Sequence, residues 1–232
     1  MSLPVLTVPH YELLLPSNGK KIKYRPYLVK EQKILLMAVI SEDIKDMSSA
    51  VKQIIENCTY NEIDANTLPQ FDIEYIFLKI RSKSVGEICE PMTECPSCKK
   101  AIKLRIDLNN IEVNKPKQSN KIELAKNVGI IFKYPTLEEE IKIQTSSSSL
   151  PTEYELLYSC VDKIYDEQQV YTKKDFSVKE FSEFIENLNS SQFEKILDFF
   201  VNQPKVEATV EVKCSCGYNS NITLQGLPDF LG

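Results

Sequence analysis

Two short stretches, Cys95-Pro96-Ser97-Cys98 and Cys214-Ser215-Cys216-Gly217, decide how the chain is read. Each holds a pair of thiols beside a segment with strand-like alternation. Together they supply four sulfurs, the number that a tetrahedral structural Zn²⁺ requires. After the first pair, Ile102, Leu104, Ile106 and Leu108 alternate with Lys103, Arg105 and Asp107. Before the second, Val206, Ala208, Val210 and Val212 alternate with Glu207, Thr209, Glu211 and Lys213, and Ile222 and Leu224 alternate beyond it. Strand, cysteine knuckle, strand is the pattern of half a zinc ribbon. The expectation is one zinc-ribbon-like β module split over residues 85–113 and 205–232, with Cys95, Cys98, Cys214 and Cys216 as metal ligands. Four unligated thiols and a redox-active Cys-x-x-Cys are the competing readings. The single residue between Cys214 and Cys216 is tighter than the usual two and weighs against the metal. Cys89 is a candidate substitute. A four-thiolate zinc site is closed, with no position for a water, so its role would be structural.

Outward from the knuckles, residues 114–204 form an insert, expected to be mainly helical. It opens with a polar linker and a strand pair at 121–124 and 129–134. Thr136, Thr152, Ser177 and Ser191 are each followed three residues later by glutamate, the pattern of a capping box at a helix start. Amphipathic runs follow: Leu156, Leu157, Cys160, Val161 and Ile164; Phe181, Phe184, Ile185 and Leu188; Phe193, Ile196, Leu197 and Phe200. A serine run at 146–149 marks a loop.

Residues 1–84 come first in the chain and are expected to form a β-hairpin plus three helices. Leu13 and Leu15 alternate toward a type I′ turn at Asn18-Gly19, with Ile22 and Tyr24 on the return. A helix at 30–40 is apolar over most of its surface and is expected to be central. A second at 42–58, with Ser41 as its N-cap, carries Ile44, Met47, Val51, Ile54, Ile55 and Cys58 on one face. A third places Phe71, Ile73, Ile76, Phe77 and Ile80 in a core. The fold class is therefore α+β.

The 232 residues carry a formal net charge of -5, with 28 Lys and Arg against 33 Asp and Glu. That balance argues against general nucleic-acid binding, which needs surplus cations on the protein to displace counterions from phosphates. Lys115, Lys117 and Lys121 make one local basic patch, which a solvated loop explains equally well. No apolar run approaches the ~20 residues needed to cross a bilayer, and no secretory leader is evident. A reducing cytosol, no membrane partner and no disulfide framework are the expectations for seven cysteines. The lone histidine, His10, precedes the first strand, and neither a phosphate loop nor a nucleophile elbow is present. The expectation is a protein that is not an enzyme and has no small-molecule substrate.

Tyr11-Glu12-Leu13-Leu14-Leu15-Pro16-Ser17-Asn18-Gly19-Lys20, continuing into Tyr24-Arg25-Pro26-Tyr27-Leu28-Val29-Lys30-Glu31-Gln32-Lys33-Ile34-Leu35-Leu36, carries a family likeness. So do Phe71-Asp72-Ile73-Glu74-Tyr75, Arg81-Ser82-Lys83-Ser84-Val85-Gly86, the Cys95/Cys98 pair and Gly226-Leu227-Pro228-Asp229-Phe230. Across nearly the whole chain the sequence resembles the T4-like bacteriophage baseplate hub assembly proteins. The resemblance implies a phage protein made in the host cytoplasm and contacting other baseplate hub or tail proteins. It transfers no catalytic residues. A zinc-ribbon nucleic-acid-binding accessory factor of the transcription type is the alternative. Tyr24-Arg25-Pro26-Tyr27 and residues 227–231 are candidate contact sites, unless they tuck into the protein's own core.

Overall fold

A computed structural model describes residues 6–114, 119–139, 141 and 150–231. Lys115, Lys117 and the serine run at 146–149 lie outside the described residues. The chain divides into two compact units, Met1–Asn114 with Lys205–Gly232, and Lys115–Pro204. Both mix helix and strand, so the architecture is α+β.

The first unit opens on the hairpin of β1 (Tyr11–Leu14) and β2 (Lys21–Tyr24), with Leu13 opposite Ile22 and both buried. The connection is longer than the two-residue turn expected. Leu15 closes it by donating to the Lys20 carbonyl at 2.9 Å, and Gly19 alone takes a positive φ, of 69°. The Asn18 side chain instead accepts from the Lys20 N–H.

Three helices follow: α1 (Val29–Ser41), α2 (Ile44–Cys58) and α3 (Gln70–Ser84). Ser41 proves to be the last residue of α1. Glu42 turns the chain with φ 55°, and the Asp43 carboxylate caps α2 by accepting from the Lys45 N–H at 2.7 Å. The central helix is α3: its Ile73, Ile76, Phe77, Leu78 and Ile80 are fully buried. The apolar α1 buries only Glu31 and Ala38, with Ile34 and Leu35 half-covered, and leaves its other apolar face in solvent. An all-round apolar composition indicates that a helix has two faces to cover, and here one is covered.

The ribbon part of this unit is built from short hairpins. β3 (Ile88–Cys89) pairs with β6 (Ile106–Asp107), and β4 (Met92–Glu94) with β5 (Ala101–Lys103). β12 (Val206–Lys213) pairs with β13 (Asn219–Gln225) from Glu207 to Lys213 and with β7 (Glu112–Val113) at its start. The run from Ile102 to Leu108 is thus two strands, not one. Its halves pair with strands on either side of Pro91, and Leu104 bridges them by donating to the Pro91 carbonyl at 2.9 Å. Leu78 of α3 packs with Ile106, Leu108, Val206, Leu224 and Phe230 in one apolar cluster beneath these hairpins.

The second unit holds an antiparallel sheet in the order β11-β10-β9-β8, formed by β8 (Lys121–Ala125), β9 (Val128–Phe132), β10 (Val161–Tyr165) and β11 (Val170–Thr172). The helices α4 (Leu150–Cys160), α5 (Val178–Glu186) and α6 (Ser190–Val201) belong to the same unit. Its core gathers Ile130, Phe132, Cys160, Phe181, Ile196 and Phe199, with the rings of Phe132 and Phe199 stacked at 5.6 Å. Two differences from the sequence reading stand out. The apolar run expected as one helix through Ile164 passes from α4 directly into β10 at Val161. Helical spacing there is coincidental with a strand whose Ile164 lies opposite Ile130 of β9. Second, only two of the four expected caps sit where expected. Thr136 with Glu139 and Ser177 with Glu180 form capping boxes. Residues 150 and 151 already lie in α4, so Thr152 does not start it. At α6 the box belongs to Asn189 and Gln192, two residues before the expected Ser191.

Candidate metal centre

Both knuckles sit at hairpin tips, and each is tightened by one residue in the left-handed region. In the first, the Cys95 N–H donates to the Lys100 carbonyl and the Lys99 N–H returns to the Cys95 carbonyl, both at 2.9 Å, with Lys99 at φ 60°. In the second, the Cys214 N–H donates to Tyr218 and the Gly217 N–H to Cys214, at 2.9 and 3.0 Å, with Gly217 at φ 90°. A glycine takes that conformation without steric cost. The short Cys214-Ser215-Cys216 spacing is accommodated because Gly217, not a longer loop, reverses the chain.

The Sγ atoms of Cys95, Cys98, Cys214 and Cys216 all lie within 4.8 Å of one another. Cys95 and Cys216 approach to 3.8 Å, Cys98 and Cys214 to 3.6 Å. These separations far exceed a disulfide bond of ~2.05 Å. They match the edges of a tetrahedron whose centre is ~2.3 Å from each sulfur, which are ~3.8 Å long. The four thiols could therefore hold a metal ion. Cys95 is buried, Cys98 and Cys214 half-buried and Cys216 exposed, so the centre has a dry side and a wet side.

The thiols hold their protons unequally. The Cys216 backbone N–H is the main influence drawing Cys214 down to about 6; donation from the Cys216, Cys98 and Cys95 thiols adds to it against the effect of burial. Cys98 is pushed up to about 11. The Lys100 backbone N–H favours its thiolate, but burial and the neighbouring Cys216, Cys214 and Cys95 outweigh it. A cation at the centre would reverse this conflict by displacing the remaining protons.

The other cysteines stand apart. Cys89 is buried under the ribbon hairpins and does not join the set. Cys58 and Cys160 are fully buried core residues, and burial pushes the Cys58 thiol up to about 11. His10 is exposed and shares a hydrogen bond with the Tyr60 hydroxyl.

Several of the candidate contact residues fold inward. Tyr24, Arg25 and Pro26 are buried, with the Arg25 guanidinium against the Glu31 carboxylate at 3.0 Å and the Asn57 carbonyl at 3.2 Å. Phe230 of α7 (Gly226–Leu231) is buried in the ribbon's core, and Leu227 packs on it.

A cleft of about 300 Å³ in the second unit escaped the sequence reading. Its walls include Ile164, Tyr165, Tyr171, Phe176 and Phe184. Its two carboxylates are engaged locally: Asp166 accepts from Gln168, Gln169 and the Tyr171 hydroxyl, and Glu180 serves the Ser177 cap. The cleft depends on the β10–β11 hairpin, which the helical spacing of that segment conceals.

The architecture and site define a mixed α+β protein in which two hairpin knuckles bring together four thiols able to hold a metal. The family model described as "T4 bacteriophage base plate protein" matches residues 8–232, nearly the whole chain, and the chain belongs to that family. It is a bacteriophage baseplate protein, placed by family in the virion tail. Searches of curated proteins and of solved structures each found no match.

Proposed function

We propose that the chain is an assembly or structural component of the baseplate hub, acting through protein–protein contacts during contractile-tail morphogenesis. The family match over residues 8–232 carries this reading. The likeness of the hairpin-to-α1 segment to hub assembly proteins supplies the finer assignment. The protein would be made in the host cytoplasm and join other hub or tail proteins there.

In this reading the metal is a structural Zn²⁺ held by Cys95, Cys98, Cys214 and Cys216, and the protein is not an enzyme. A closed set of four thiolates contributes folding free energy and leaves no site for an activated water. The alternative of a nucleic-acid ribbon has less support. Lys103 pairs with Glu90 and Lys213 with Glu211, so cations on the ribbon strands have acidic neighbours.

Affinity capture of a tagged copy from phage-infected cells tests the functional reading. Recovery of hub proteins, lost when the phage's hub genes are silenced, is the expected result. Recovery of RNA polymerase or nucleic acid in a steeply salt-dependent manner would overturn it. For the metal, protein purified without chelator should hold about one zinc per chain.

A further inference from the structure

The strongest unexplained surface is the outer face of α1. Val29, Leu36, Met37 and Ile40 are 67%, 54%, 72% and 80% exposed, and Val39 and Ile44 beside them are more than half exposed. Isolated apolar side chains on a surface are ordinary, but a contiguous group of this kind marks an interaction site. The group is also patterned. Val29, Lys33, Leu36 and Ile40 are spaced four, three and four apart, the seam by which one helix packs on another. The opposite face, with Glu31, Ile34, Leu35 and Ala38, is turned to the protein's own core.

The charges along this face indicate its occupant. Lys30, which also lies 3.5 Å from Glu31, and Lys33 lie at the N-terminal half of α1, whereas Glu42, Asp43 and Asp46, with Lys45 among them, follow just past its C-terminal end and leave that end net acidic. Such a face is complementary to itself when reversed. In an antiparallel pair centred between Leu36 and Met37, the lysines of each copy meet the acidic end of the other. A parallel pair would set like charges together, and the helix dipoles also favour the antiparallel arrangement. A two-fold axis generates this contact twice from one surface. We propose that α1 is a homodimerisation surface on which a second copy of this chain lays its own α1 antiparallel. The proposal goes beyond the baseplate reading and does not depend on it, because the purified chain alone tests it.

The contact is confined to a 13-residue helix, ~20 Å long. It lies at the small end of specific interfaces, so the dimer is weak, with a dissociation constant on the order of tens of micromolar. Sedimentation equilibrium of the full chain, from low micromolar to a few hundred micromolar, should show reversible monomer–dimer behaviour. Ile40→Lys and Leu36→Lys should each weaken it tenfold or more, with far-UV circular dichroism and metal content unchanged. Lys33→Glu and Glu42→Lys should each weaken it several-fold, and an equimolar mixture of these two variants should recover the wild-type strength. A wild-type chain that stays monomeric throughout overturns the proposal. So does equal association of Ile40→Lys, or a mixture of the two charge variants no stronger than either alone.

Discussion

At the scale of single residues, two buried polar sites of the first unit should be sensitive to substitution. Cys95 is the buried member of the thiol set, so on the structural-zinc proposal Cys95→Ser should remove the metal. The expected loss is on the order of 3–5 kcal/mol, read as a fall in zinc content and in the denaturant midpoint together. The second site is the Arg25–Glu31 pair, with side chains 10% and 0% exposed. Burial pushes the Glu31 carboxyl up, but the Arg25 guanidinium, the Leu28 N–H and the Arg25 and Lys30 charges together hold it below its ordinary 4.5. A carboxylate held low in the folded state contributes stability above its unfolded value and loses it as the pH falls through the folded one. Stability should therefore decline on acidification below about pH 4.5, and Glu31→Gln should lack that component of the slope. At neutral pH the same substitution leaves Arg25 buried without its counter-charge, at a cost of about 3–5 kcal/mol in chemical denaturation.

At the scale of elements, close approach and capping decide two positions in the second unit. A Cβ on Gly129 of β9 would run into the Ile122 carbonyl and the Tyr165 ring, so the strand tolerates only glycine there. Gly129→Ala should cost about 1–3 kcal/mol, measured on the isolated unit or as the transition of that unit in the full chain. Ser177→Ala removes the hydroxyl that accepts from the Glu180 N–H at 3.3 Å and should cost about 1 kcal/mol by the same measurement. Neither change should alter metal content, because the thiols belong to the other unit. The elements also show where periodicity misleads. Val161 and Ile164 continue the helical spacing of α4, yet they form β10 because β9 supplies a ladder partner, with the Lys133 N–H donating to the Cys160 carbonyl at 2.7 Å. Local spacing cannot register a partner contributed by residues 128–132.

At the scale of the whole molecule, the insert leaves and returns at one point. The Asn114 N–H donates to the Lys205 carbonyl at 3.1 Å, and the Lys205 N–H to the Asn114 side chain at 2.9 Å. Excising residues 115–204 and joining 114 to 205 through a short glycine turn should therefore leave a folded first unit with its full metal content. Loss of metal or of a cooperative transition in that shortened chain would show that the insert is needed to bring the knuckles together. Chelation should likewise unfold the first unit while the second keeps its own melting transition, which near-ultraviolet circular dichroism of its aromatic core can follow.

Much of this was legible in the residues themselves. The alternation beside each cysteine pair indicates hairpins, the core face of α3 follows from helical spacing, as does that of α2 from Val51 to Cys58 although its Ile44 is more than half exposed, and the Ser177 box marks the start of α5. These are local properties, set by backbone preferences and by the period of apolar side chains. The meeting of Cys95 and Cys98 with Cys214 and Cys216, at separations of 3.6 and 3.8 Å, could be proposed from ligand number but needed the fold to measure it. Other features depended on which surface covered which. Tertiary packing gave the central place to α3, turned Tyr24, Arg25 and Phe230 inward, and left the apolar stripe of α1 in solvent. Composition records that a side chain is apolar; only the arrangement of the whole chain decides whether its own core or a partner removes it from water.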